Sequence, residues 1–327
     1  MELVINKDII YWLRHLCRSY DRVTKVIVST KNELGSMNPT LSKEEKELYF
    51  KRDSLLNGDS RTQGLVQIQG KLSRQMGKYI EYWPIWSEWM KKIDGVGPFV
   101  GGNLILKYYY KFVPICSKCD TDLINEDKTF LCPSCNTKSK GEGLLQLRIE
   151  RRDFPNVSSW ISFNGERTTP HCAKCRTRLK ENEKTNTFRC LNEKCRKEFP
   201  IDDLSKIVML KPKKIKGVQS NWSSKNRCVS YLLGEQLMRQ NNDHLYKQFF
   251  IGKRDKLIRT HSHCRPFYIR DMARHQTSKM FLSHFWHVAR ELEGLSTCGP
   301  WIIDHGNHTK IILPFYWDTS EEKMVSN

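Results

Sequence analysis

Four pairs of cysteines are the residues best placed to do chemistry in this chain. Cys116-Ser-Lys-Cys119 and Cys132-Pro-Ser-Cys135 make one set. Cys172-Ala-Lys-Cys175, answered by Cys190 and Cys195, makes a second. A small turn between two close cysteines presents two thiolates to one point, and two such turns complete a tetrahedron of sulfur around a zinc ion. Each set is therefore assigned one structural Zn2+ of the ribbon kind. Sulfur fills all four positions, so no coordination site stays open for catalysis. His171 adjoins Cys172 and could replace one ligand, although four cysteines already suffice. The neighbours Lys118, Asp120, Lys138, Lys174, Arg176 and Lys194 are polar, as expected of modules too small for a core of their own. Metal binding would then supply most of their folding free energy. Cysteines clustered in this way point to a reducing compartment, not to a disulfide scaffold.

Composition narrows the partner. The chain has 327 residues, room for two or three domains. Its formal net charge is +19, its pI about 9.4 and its mean hydropathy −0.60. A polyanion is the expected partner, nucleic acid ahead of membrane. The sequence has no charged-then-apolar leader and no apolar run of spanning length. A soluble protein is expected, cytoplasmic and nucleoid-associated or otherwise intracellular, with no membrane partner.

The elements that must carry the cysteines are mostly helical. Ile9, Leu13, Leu16, Tyr20, Val23, Ile27, Thr30 and Leu34 alternate steps of four and three, a heptad seam. One long helix packed on another is expected, ended by Gly35 with a turn at Asn38-Pro39. The seam fits a homodimer and an intramolecular antiparallel pair equally well. Ser42 with Glu45 reads as a capping box for a short second helix, and residues 50–61 as a loop. A further helix is expected from Thr62, with Leu65, Ile68, Leu72, Tyr79, Trp83 and Trp86 on one side and a kink at Pro84.

A glycine-rich turn follows, Lys91-Lys-Ile-Asp-Gly-Val-Gly-Pro-Phe99. Gly95 and Gly97 permit positive φ, and Pro98 suits the first turn of a helix. Backbone N–H groups from Gly95 through Val96 and Gly97 to Phe99, beside Lys91 and Lys92, would form an anion site suited to phosphate. A second phosphate contact is expected from Lys213, Lys214, Lys216, Lys225 and Arg227.

Between and after the cysteine sets the pattern is again helical. Asp153 to Gly165 reads as a short helix with Ser158 as its cap and Gly165 as its stop. Ser224 reads as the cap of a helix bearing Val229, Leu232, Leu233, Leu237 and Met238. Asp243 to Leu257 should turn Leu245, Tyr246, Phe249 and Phe250 inward. The last helix, Ile269 to Leu292, should leave Arg270, Arg274 and Lys279 to solvent or phosphate. His261, His263 and Cys264 could join His305 and His308 around a metal, but no carboxylate stands at a fixed offset, and they read as loop residues near phosphate. His284 and His287 read as helix packing. Cys17, Cys228 and Cys298 stand alone and read as buried or incidental.

The turn Ile93-Asp-Gly-Val-Gly-Pro98 resembles the hairpin of helix-hairpin-helix motifs, which hold duplex DNA by its backbone. Three further pieces follow it in order. They are Phe154 to Gly165, Lys216-Gly217 with Ser224-Lys225, and the Leu245-Tyr246 helix with Lys253 and Arg254 ahead of the Arg274-to-Leu292 helix. Together they resemble the C-terminal domain of the DEDD insertion-sequence transposases, the family of the Piv invertase and the bridge-RNA-guided recombinases. The heptad helices resemble that family's coiled-coil linker. The resemblance implies duplex DNA as partner, with RNA as a second class.

Two departures qualify what it implies. The family's RuvC-like domain, with its four acidic metal ligands, has no counterpart ahead of the coiled coil. Lys216 stands where the family has its nucleophilic serine, and a lysine there is a phosphate contact. DNA binding is therefore expected and recombination is not, which leaves the enzyme question open.

Three alternatives stand beside this reading. One is an active transposase or recombinase subunit using a nuclease domain in trans. Another is a base-excision enzyme acting through Lys107, Lys111 or Asp120 beyond the hairpin. The last is a zinc-stabilised scaffold for RNA or protein. The expected fold class is mainly α: coiled-coil helices and a helix-hairpin-helix, transposase-like helical domain with two inserted small β zinc ribbons. The expected segments are 1–90 (helical linker), 91–113 (hairpin), 114–143 (first ribbon), 144–168 (helical core), 169–204 (second ribbon), 205–295 (helical core) and 296–327 (tail).

Overall fold

A computed structural model of the protein describes residues 5–37, 39–126, 129–140, 146–166, 168–175, 177, 179–182, 185, 187–192, 195, 197–200, 206–210, 222–297 and 312–318. The fold is mainly helical, with small antiparallel sheets that carry the two cysteine sets. The chain divides into two units, Met1–Phe154 with Val288–Leu295, and Pro155–His287 with Ser296–Asn327. Among the described residues no helix is long and apolar enough to cross a membrane.

The first unit opens with α1, Lys7–Met37. It runs through Gly35, which was expected to end it. Its last residue stands two positions ahead of Pro39, which has no N–H with which to continue a helix. The seam is an intramolecular helix pair. Cys17 Sγ lies 3.6 Å from Met76 Sδ, and Gln69 Nε2 donates to Thr24 Oγ1 at 2.7 Å. The step from Cys17 to Thr24 runs against the step from Met76 to Gln69, so the helices are antiparallel. Ile10, Leu13, Leu16, Cys17 and Ile27 are buried, whereas Ile9, Val23 and Leu34 are only half-buried. The stripe therefore follows the 3.6-residue period of a straight helix more closely than a strict heptad. Cys17 belongs to this core.

The capping box forms as the sequence suggests. Ser42 Oγ accepts from Glu45 N, and the Glu45 carboxylate accepts from Ser42 N, at the head of α2, Lys43–Arg52. Residues 50–61 are not all loop. Asp53 caps a short α3, Ser54–Asn57, which buries Leu56. The partner helix α4 is Leu65–Ile80, not a helix from Thr62, because Gln63 pairs with Gly58 in a β-bridge and Gly64 is the N-cap. Pro84 does not kink one long helix. The chain leaves α4 after Ile80 and resumes as a π-helical turn, Ile85–Trp89, then a 3-10 turn, Met90–Lys92. These turns bury Ile85, Trp86, Trp89 and Met90.

The central helix α5, Pro98–Tyr109, is buried along most of its length. Two glycines let it approach its neighbours. A Cβ at Gly101 would lie 2.6 Å from the Trp86 ring, and one at Gly102 would lie 3.1 Å from Cys17 Sγ. The strand β1, Tyr110–Ile115, continues directly from α5. Next come the small strands β2 (Ile124–Glu126), β3 (Thr129–Leu131) and β4 (Lys138–Lys140), then β5 (Gln146–Arg151), which pairs antiparallel with β1.

The second unit begins with α6, Val157–Phe163. Its cap is Asn156, whose Oδ1 accepts from Ser159 N at 2.8 Å, and not Ser158. Gly165 ends it with φ +70°. β6 (Thr169–Cys172) leads to the three-stranded β7 (Leu179–Asn182), β8 (Thr187–Cys190) and β9 (Glu198–Pro200). β10 (Ile207–Leu210) returns to pair with β6. Helices α7 (Ser224–Arg239), α8 (Leu245–Thr260) and α9 (Pro266–Leu292) follow. Ser224 is the first helical residue of α7, and Ser223 holds the cap position. Trp160, Leu233, Leu237, Tyr246, Phe281 and Phe285 fill the core.

Two expectations fail here. Leu245 is exposed, because α8 starts at that residue and not at Asp243. Arg274 is 2% exposed, where solvent or phosphate was expected. The middle of α9 is buried on most sides, so its cation pairs with Asp271 and Glu235 and lies 4.0 Å over the Tyr231 ring.

Candidate metal centres and nucleic-acid contacts

Strand β1 delivers Cys116 immediately after Ile115, and the first set then builds itself from two similar turns. Cys116 N donates to Thr121 O at 2.9 Å, while Asp120 N donates back to Cys116 O at 2.9 Å. Cys132 and Asn136 repeat the pattern, with Cys132 N on Thr137 O and Asn136 N on Cys132 O, each at 3.0 Å. The closing residue of each turn is left-handed, with φ 55° at Asp120 and at Asn136. Short Asx side chains tolerate that backbone. In the second set Cys172 N donates to Thr177 O at 2.9 Å. The wider Cys190-to-Cys195 turn closes with Cys190 N on Lys197 O and Cys195 N on Asn192 O.

These turns bring the sulfurs to metal-binding spacing. Four Zn–S bonds of about 2.3 Å in a tetrahedron require S···S separations of about 3.8 Å. Cys116–Cys135, Cys119–Cys132 and Cys119–Cys135 stand at 3.5, 3.4 and 3.7 Å. Cys172–Cys195 and Cys175–Cys190 stand at 4.0 and 3.4 Å. In each set all four Sγ atoms lie within 4.8 Å of one another. Both sets thus fit a tetrahedral ion held by sulfur alone. His171 is not among the ligand atoms that gather in the second set, and its Nδ1 lies 2.8 Å from Thr169 O.

A threonine two residues after the second cysteine supports the thiolates, and the sequence reading passed over it. The Thr137 hydroxyl, 3.1 Å from Cys135 Sγ, and the Thr137 backbone amide lower that thiol to about 6. Thr177 does the same for Cys175, also to about 6. Thr121 lowers Cys119. The recurring Cys-x-Thr is visible in the sequence and could have been found. The second module also has a core of its own, contrary to expectation. Leu179 and Phe199 are buried with Cys172 and Cys190, and Phe188 and Ile207 pack against them.

Among the described residues no third group of His, Cys, Asp or Glu assembles in this way. His261 and His263 lie with ring centroids 6.1 Å apart, with Cys264 beside them. His305, His308 and Cys298 lie outside the described residues. Cys228 is exposed.

The expected phosphate contacts sit in two places. Gly95 takes φ +83° and turns the chain into α5, whose N-cap is Gly97. Val96 is buried. Val96 N donates to Ile93 O, and Gly97 N to Gly95 O. Pro98 has no N–H. The amides at the helix head are therefore those of Phe99 and Val100, which no earlier helical carbonyl can pair. Lys92 is exposed, and Lys91 reaches Glu81 at 2.7 Å. Lys225 is exposed, and Arg227 lies 5.6 Å over the Trp222 ring. Lys213, Lys214 and Lys216 lie outside the described residues.

No family model matches the chain, and neither a curated protein nor a solved structure matches it significantly.

Proposed function

We propose that the protein is a zinc-stabilised binder of duplex DNA that grips the phosphate backbone. This accords with the resemblance of its sequence to the C-terminal domain of the DEDD transposases. The observation that carries the reading is the head of α5, which no side chain caps, in a chain of net charge +19 with Lys92 exposed in the preceding turn. An uncapped helix N-terminus presents amides and a positive dipole end to an anion, and the chain's excess of cations favours a polyanion. The resident metal in this reading is Zn2+, which all-sulfur tetrahedral sites select. Zinc would hold the two modules folded and leave the reading without a reaction of its own.

Gly97→Val tests it. A Cβ at Gly97 meets nothing within 4 Å, and its backbone is extended, so valine fits the fold and shields the helix head. Gly95→Val is a poorer probe because φ +83° strains any side chain. The zinc-loaded protein is titrated with a duplex at two salt concentrations. Gly97→Val should weaken all sequences alike and reduce the slope of log affinity against log salt. An unchanged curve would remove the α5 head from the interface.

A further inference from the structure

The turn from α8 into α9 carries two large aromatic rings in open solvent. Phe267 is 63% exposed and Tyr268 59% exposed, in the first turn of α9 behind Pro266. From Lys253 to Arg270 the sequence places Lys253, Arg254, Lys256, Arg259, Arg265 and Arg270 against a single acidic residue, Asp255. Asp255 is itself paired with Arg254 at 2.9 Å. Lys256, Arg259, Arg265 and Arg270 are exposed. The Arg270 guanidinium stands 5.3 Å from the Phe267 centroid. The two rings meet edge to face, with centroids 6.1 Å apart.

Hydrogen bonds and packing hold the corner. Cys264 N donates to His261 O, and Tyr268 N and Ile269 N both donate to Arg265 O. Leu257 and Ile269 anchor the corner in a buried cluster with Phe250 and Ala273. The rings are thus displayed by packing beneath them, while nothing in that packing needs them.

We propose that this corner binds single-stranded nucleic acid, with unpaired bases stacked on Phe267 and Tyr268 and phosphates on Arg259, Arg265 and Arg270. Aromatic faces interleaved with cations are how proteins hold unpaired strands without reading sequence. A duplex hides its base faces in its own stack, so it gains only the cations. A lipid surface needs a broad apolar face, and here the exposed apolar side chains reduce to Ile258 and the two rings. The inference goes beyond the duplex reading and does not need the α5 head.

The test uses the full zinc-loaded chain and a labelled DNA single strand of about twelve nucleotides, beside the matching duplex. The Phe267→Ala, Tyr268→Ala double variant should bind the single strand about tenfold or more weakly, with duplex affinity within about twofold of the parent. Phe267→Trp with Tyr268→Trp should retain binding. In the unmodified protein, a strand carrying 5-iodouracil should photo-cross-link to the peptide that holds Phe267 and Tyr268. Unchanged single-strand affinity, equal loss on both ligands, or cross-links only elsewhere would overturn the proposal. So would ring-dependent binding to phosphatidylserine vesicles without ring-dependent binding to DNA. Gly97→Val losing the duplex while sparing the single strand would separate the two surfaces. If Gly97→Val leaves duplex binding unchanged, the function reading fails and this inference still stands on its own variants.

Discussion

The Tyr246 hydroxyl lies 2.8 Å from Nδ1 of His284, inside the core of the second unit. His284 Nε2 is 3.2 Å from Ile312 O, and a carbonyl can only accept, so Nε2 carries the proton. Nδ1 then accepts from Tyr246. The imidazole is held neutral in one tautomer, and burial pushes its pKa down to about 3. The unfolded chain takes up a proton near pH 6.5, which the folded chain refuses until about pH 3. Stability should therefore fall as pH drops through that window and be fully present above it. His284→Gln should flatten the fall, read as the difference in Tm between pH 7 and pH 5. Tyr246→Phe should cost about 1 to 2 kcal/mol at pH 7 by leaving Nδ1 without its donor.

The metal content is directly countable. Elemental analysis should find about two zinc ions per chain, one for each sulfur set. Cys132→Ser should remove one of them and Cys190→Ser the other. Thr137→Val should keep both ions but weaken the first site about tenfold in competition with a chelator, since it strips a hydroxyl from Cys135 Sγ. A Thr137→Val protein that held its metal as tightly as the parent would show that the hydroxyl is incidental.

Gly101 is where α5 and Trp86 compete for the same space. An added Cβ would lie 2.6 Å from the indole. Gly101→Ala should destabilise the first unit by about 1 to 3 kcal/mol, because Trp86 is buried and has little room to retreat. Gly70→Ala is the control. Its nearest neighbour is the end of a flexible arginine at 3.8 Å, and alanine favours helix, so it should be neutral or slightly stabilising. Denaturant titration of both variants distinguishes packing from propensity.

Arg274 should matter for stability and not for nucleic acid. Its side chain is 3% exposed, and its partner Glu235 is 13% exposed at 3.6 Å. Arg274→Met leaves Glu235 with only the exposed Arg239, 3.4 Å away, at a cost of about 1 to 3 kcal/mol. Replacing Glu235 as well should recover part of that loss. Neither change should alter the salt slope for DNA. A loss of binding at unchanged stability would place Arg274 in the interface after all.

The sequence by itself determined the elements whose causes are local. Both sulfur sets were legible because closely spaced cysteine pairs, three of them Cys-x-x-Cys turns and the fourth the wider Cys190–Cys195 pair, carry their own geometry. The same holds for the Ser42–Glu45 box and the Gly165 stop, where one side chain or one φ decides. The mainly helical character followed from the spacing of apolar residues, which fixes a period but not a partner.

Only the tertiary structure decided what each helix face meets. The heptad seam of α1 could have joined two chains, and the Cys17–Met76 and Thr24–Gln69 contacts assign it to α4. Arg274 looked solvent-facing because a lone arginine on a helix usually is. Its burial depends on Glu235, on another helix and distant in sequence. Phe267 and Tyr268 look like core residues by type. Their exposure arises because Leu257 and Ile269 fill the core beneath that corner, and no periodicity announces which apolar residues a fold will leave outside.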